Sequence, residues 1–183
     1  TIPVYTELIL GRPGETYSSW LSGISQVVRS RLNGQLFIYL CEVYPNTELS
    51  DPGFRESKAL HTVRTSLTEI HGSVRDADGI GEEIEIIVGS YSMSLGDWKR
   101  MVAASWTTLL LLSMKLGNFV LEYLDARLGL DPALLIEAIC QGGHDGRPVL
   151  CGMVAEMEQV TDNILSGCGK GCVASDFGNI YWD

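Results

Sequence analysis

Apolar residues fall along this chain in runs and stripes that predict its elements in turn. Val4 to Leu10 is an almost continuous apolar run, interrupted by Thr6 and Glu7, and it stops at Gly11, Arg12, Pro13 and Gly14. A short apolar run closed by turn residues predicts a buried strand. Thr16 then stands where a hydroxyl can cap a helix, and Trp20, Leu21, Ile24, Val27, Val28 and Leu32 follow by threes and fours up to Gly34. That stripe predicts an amphipathic helix. Leu36 to Leu40 is a second apolar run, so strand, helix and strand predict a βαβ unit with parallel strands and a right-handed crossover. Both strands are apolar on both faces, which predicts helices above and below them and further strands alongside.

From Tyr44 to about Gly81 the chain reads as a loop-rich connector through Pro45, Asn46, Asp51 and Pro52, with an alternating run from Val63 to Ile70. Ile84 to Val88 is β-prone and either pairs with that run or extends the sheet. Ser94 and Asp97 have the spacing of a capping box, and Trp98, Val102, Trp106, Leu109, Leu112, Leu116, Phe119 and Tyr123 continue at helical intervals. One long helix over about 97–128 is expected, ended by Gly129. Asp131 and Pro132 open another to about Cys140, the cluster Gly142 to Gly146 makes a turn, and Pro148 opens a last helix to about Leu165. Ser166 to Asp183 is Gly-rich and reads as irregular. The chain thus divides into an α/β part over 1–92 and a helical part over 93–183.

With 183 residues, 45% of them hydrophobic, the chain can bury one sizeable core. Thirteen Lys and Arg against 23 Asp and Glu give a net charge of -10, which argues against nucleic acid and anionic lipid as partners. The uncharged stretch from Met101 to Met114 is shorter than the roughly 18–20 residues of a bilayer span, so no membrane crossing is expected. Thr1 opens the chain without an initiator methionine or a basic leader, which predicts that a further portion precedes it. Five cysteines, an odd number, with Cys41, Cys140 and Cys151 in apolar surroundings, agree with a reducing, cytoplasmic setting.

The segment from Glu7 to Thr16, a strand turning on glycine and proline into a capped helix, carries the chief chemical signal. Ligands of parallel α/β sheets lie beyond the carboxyl ends of the strands, where glycine permits close approach. The same residues also suffice for a plain tight turn, and no Gly-Lys-Ser/Thr follows to make a phosphate loop. Glu7 stands out because a carboxylate in a buried strand is costly unless it is paired or faces a cavity. His61, His71 and His144 are scattered, and Trp98 and Trp106 share an apolar stripe that marks them as core. Cys41 reads as core packing, and Glu82, Glu83 and Glu85 as a solvated face.

Ile9-Leu10-Gly11-Arg12-Pro13-Gly14-Glu15-Thr16, then Phe37-Ile38-Tyr39-Leu40 and Tyr44-Pro45-Asn46-Thr47-Glu48-Leu49, resembles the late strands of the radical S-adenosylmethionine (SAM) enzymes. The ending of that stretch and the helix from Asp97-Trp98-Lys99-Arg100 are similar to the subgroup with an upstream cobalamin-binding domain. The specific likeness covers about 4–49. It implies that this chain is the carboxyl-terminal portion of a partial (β/α) barrel followed by a mostly helical tail. It also implies SAM as cofactor, a [4Fe-4S] cluster that cleaves it reductively, and cobalamin in the narrower subgroup. The cluster is held by CxxxCxxC in such enzymes. This chain has none, and Cys168 and Cys172 lack a third partner, so the ligands would lie upstream in the same protein.

In the motif GxIxGxxE, Ile9 and Gly11 match fixed positions, while Glu7 replaces the first glycine and Gly14 the glutamate, with Glu15 one residue later. The resemblance puts Glu7, Ile9 and Gly11, with backbone near Tyr39 and Leu40, at the adenine side of the SAM pocket. The parent would perform radical chemistry on a small-molecule or peptide substrate, methylation if the subgroup holds, and this chain alone would be inactive. The competing reading is a non-catalytic α/β binding or interaction module.

Overall fold

In a computed structural model, the described residues are 4–31, 35–67, 82–141 and 146–169. Strand β1 (Thr6–Leu10), helix α1 (Tyr17–Arg29) and strand β2 (Leu36–Leu40) form the expected unit, with β1 and β2 parallel. Leu32 and Gly34, assigned to the end of α1 from sequence, lie outside the described residues. Thr16 caps α1 through a reciprocal box: its hydroxyl accepts from the Ser19 amide, and the Ser19 hydroxyl accepts from the Thr16 amide.

The connector contains a short 3-10 turn (Glu48–Ser50) and helix α2 (Pro52–Ser57), started by the Asp51 carboxylate accepting from the Phe54 amide at 2.8 Å. Strands β3 (His61–Ser66) and β4 (Glu83–Gly89) then pair antiparallel, the first of the two arrangements left open by the sequence. The second is also partly realised. After β2 the chain changes partner, because Ile87 donates its amide to Cys41 and Val43 donates to Glu85 across a Glu42–Ile86 bridge. The two small sheets are joined there, giving a mixed α/β molecule with no closed barrel among the described residues.

One side of the β1–β2 pair is covered. Leu10 and Leu36 are buried and Leu8, Ile38 and Leu40 pack with them against the core formed by Trp20, Ile24, Val28, Trp98, Met101 and Val102. Full burial of a side chain such as Leu10 or Ile24 is worth about 1.5–3 kcal/mol. The two parts expected from sequence share this core, because α1 packs on helices α3 (Leu95–Thr108), α4 (Asn118–Leu128) and α5 (Pro132–Cys140). Helix α6 (Pro148–Leu165) packs on α3 and β3, and the chain beyond it returns to β3, where the Ser66 amide donates to the Gly167 carbonyl at 3.1 Å.

The expected single helix over 97–128 is corrected. It breaks after α3 into a π-helical turn, Leu109–Ser113, and its two arms meet at 93°. The Met114 amide reaches back to the Leu109 carbonyl, Lys115 takes a left-handed φ of 62°, and Gly117 lies so close to Leu111 that a Cβ would meet its Cδ2 at 2.6 Å. Among the described residues no single helix is long and apolar enough to cross a membrane, although the two arms together have the length and composition of one span. The first arm is a core helix, with Trp98, Met101, Val102 and Ala104 buried.

Candidate functional site

The turn after β1 is built from close backbone packing. Gly11 is buried at φ 99°, and a Cβ there would stand 3.1 Å from the Ile87 carbonyl oxygen. A side chain would be opposed both by the backbone conformation and by β4. Gly14, at φ 96°, donates its amide to Ser92 Oγ at 3.1 Å, and Ser92 Oγ lies 3.1 Å from Ser90 Oγ. The β4–α3 turn therefore holds the glycine loop in place. The Glu15 carboxylate accepts from the Ser19 hydroxyl at 2.8 Å, so it serves the first turn of α1.

The uncovered side of β1 and β2 corrects the expectation that both faces are buried. Strand alternation puts Tyr5, Glu7, Ile9, Phe37 and Tyr39 there, with Glu7 beside Phe37 and Ile9 beside Tyr39 in register. Ile9 is 47% exposed and Tyr39 42%, values that separate them from the fully buried Leu10. Phe37 stacks with Tyr39 at 6.3 Å between ring centres and meets Tyr5 edge-on at 6.0 Å. Glu7 is exposed and has no ion-pair partner among the described residues, so the cost expected for a buried carboxylate does not arise. Glu7, Ile9 and Tyr39 thus share one open face at whose exit end Gly11 turns the chain.

Leu40 points the other way. It lines a core void of about 20 Å³ with Leu10, Ile38 and Trp106, leaving only its backbone near the exit end. Cys41 is buried beside Gly11, and its thiol is pushed up by burial and opposed by the charge of Arg12, as suits a packing residue. The Tyr-Pro-Asn-Thr motif forms a tight turn: Asn46 takes φ 64°, and the Thr47 hydroxyl donates to the Tyr44 carbonyl at 2.7 Å. The Tyr44 hydroxyl donates to Glu42 at 2.5 Å, and this bond, helped by burial, raises the phenol.

Trp98 is fully buried, as its stripe predicted, but its indole N–H has no acceptor among the described residues. Trp20 donates instead to Ser105 Oγ at 3.1 Å. Glu85 is not a merely solvated charge. It accepts from Thr62 and from Arg55, each at 2.5 Å, and these contacts hold its carboxyl below the usual range. His61 is exposed at the start of β3, while His71 and His144 lie outside the described residues.

Cys168 is exposed, and Cys172 lies outside the described residues. Among the described residues no group of three His, Cys, Asp or Glu is placed to hold a metal ion. Sequence reasoning missed Tyr5, Phe37 and Ser92. The first two were available from the alternation Tyr5-Glu7-Ile9 and Phe37-Tyr39, whereas Ser92 joins the glycine loop only through a contact across 78 residues. No model of a known protein family matches this chain, and no curated protein matches it.

Proposed function

We propose that this chain is the carboxyl-terminal portion of a radical SAM enzyme, contributing late strands of a partial (β/α) barrel and a helical tail. The observation carrying this reading is the parallel β1–β2 pair, covered by helices on one side and open on the other, with the glycine turn at its exit. A strand pair of this kind inside a curved sheet turns its open face toward a central cavity. Ile9 and Tyr39 offer an apolar strand and a ring to a nucleobase, and Gly11 allows backbone to approach it. Ser92 fixes Gly14 and hence the course of the loop.

The residues here do not fit a [4Fe-4S] cluster, and no step is assigned to one within this chain. In the parent the cluster would supply the electron that cleaves SAM, and cobalamin would supply a methyl carrier if the narrower resemblance holds. The upstream part of the same polypeptide would close the barrel over β1. The chain's own part is to bind and orient the nucleoside and to exclude water from the covered side.

Two measurements test this. The reading frame ahead of Thr1 is expected to encode CxxxCxxC, and a frame that starts at Thr1 leaves the non-catalytic module. The parent, reconstituted anaerobically with iron and sulfide, is expected to form 5′-deoxyadenosine from SAM, and an assembled cluster without that product counts against the proposal.

A further inference from the structure

The helical side of the molecule holds a cleft to which neither β1 nor β2 contributes a lining residue. Helices α3, α5 and α6 enclose about 410 Å³, and Tyr17 at the start of α1 closes one end. The size falls within the roughly 300–1,000 Å³ of small-molecule sites. Its floor is Ala103, Cys140, Val154 and Met157, an apolar surface in which the methionine can adapt its shape.

The rim carries two cations, Lys99 and Arg100, and two carboxylates, Glu158 and Asp162. Lys99 Nζ spans to Asp162 at 2.8 Å, and Arg100 lies 3.6 Å over the Tyr17 ring while pairing with Asp97 at 3.5 Å and Glu137 at 3.4 Å. Glu158 also lines the cleft and has no ion-pair partner among the described residues. Of the four charged side chains that line the cleft, Lys99 and Asp162 pair with each other and Arg100 is held by Asp97 and Glu137 from outside the lining. Both cations are already engaged, and Glu158 is left to receive a further one.

We infer that this cleft binds a small organic monocation, an amine with a compact apolar body. The body would rest on Val154, Met157 and Cys140, and the ammonium would meet Glu158. An anion would be repelled by the uncompensated Glu158 carboxylate, and a neutral isostere would forgo the charge contact. This inference stands apart from the radical SAM reading, since it uses neither β1 nor β2.

Chemical-shift mapping of the whole chain tests it with three probes of one shape: phenethylammonium, 2-phenylethanol and phenylacetate. The amine is expected to give saturable shifts at Ala103, Gln141, Met157 and Glu158, with the alcohol weaker by about fivefold, as one partly exposed charge contact allows. Phenylacetate is expected to give none. Glu158→Gln, an exposed position, is expected to abolish the preference for amine over alcohol, and Val154→Phe to fill the cleft and remove both. Absence of saturable shifts with the amine, equal affinity for all three probes, or an amine preference that survives Glu158→Gln would overturn it.

Discussion

Two glycines with opposite surroundings show how much one backbone conformation decides. Gly11 is held at φ 99° against the Ile87 carbonyl, whereas Gly23, inside α1, has nothing within 4 Å of the place a Cβ would occupy. Gly11→Ala is therefore expected to cost about 1–3 kcal/mol, the range for a strained backbone position. Gly23→Ala is expected to stabilise by about 0.5–1 kcal/mol, because alanine loses less freedom on entering a helix. Urea denaturation of the two variants measures both, and equal effects would contradict the close packing of Gly11 against β4.

Tyr17 makes a second single-residue prediction. Its phenol is pushed up to about 12 from 10.0, first by burial and then by the charge of Glu137, to which it donates at 3.1 Å. Folding thus favours the protonated phenol. The contribution is fully present below pH 10 and is lost as pH rises through about 12. Stability followed by denaturant titration from pH 9 upward is expected to fall in that window, with Tyr17→Phe showing a shallower decline. Identical pH profiles would contradict the assignment.

Among the elements, those with local signals were readable in advance. Thr16 caps α1, Asp131 and Pro132 start α5, Pro148 starts α6, and Gly129 ends α4 at φ 62°. The break in the predicted long helix was not readable, because the apolar stripe runs on through Leu112, Leu116 and Phe119. What bends it is tertiary: Leu112 and Leu121 are buried while Leu116 and Phe119 are exposed, and Ser113 donates to the Leu36 carbonyl at 3.0 Å. The chain takes the corner at Lys115, a non-glycine residue in left-handed backbone. Relief of about 1–2 kcal/mol of strain, less about 0.5–1 for glycine's added freedom when unfolded, leaves Lys115→Gly more stable by about 0.5–1 kcal/mol. A thermal melt reads the difference, and a lower Tm in the variant would argue for a continuous helix.

For the molecule as a whole, the parallel βαβ unit and the glycine turn could be read from sequence, but the exposure of one sheet face could not. Hydrophobicity marks Ile9, Phe37 and Tyr39 as apolar without saying what covers them, and the core side was filled by helices far along the chain. The change of partner after β2 was equally hidden, since Cys41 and Val43 meet β4 across more than forty residues. That switch brings Ile87 under Gly11, so the connector and β4 shape the exit end as much as the motif does.

The central proposition, that the open face of β1 and β2 lines a nucleoside cavity, is tested most directly by photolabelling the reconstituted parent with an azidoadenine analogue of SAM and mapping the modified peptides. Labelling is expected within 7–11 and 37–41 and is expected to be suppressed by excess SAM. SAM-protected labelling confined to other segments would contradict the account.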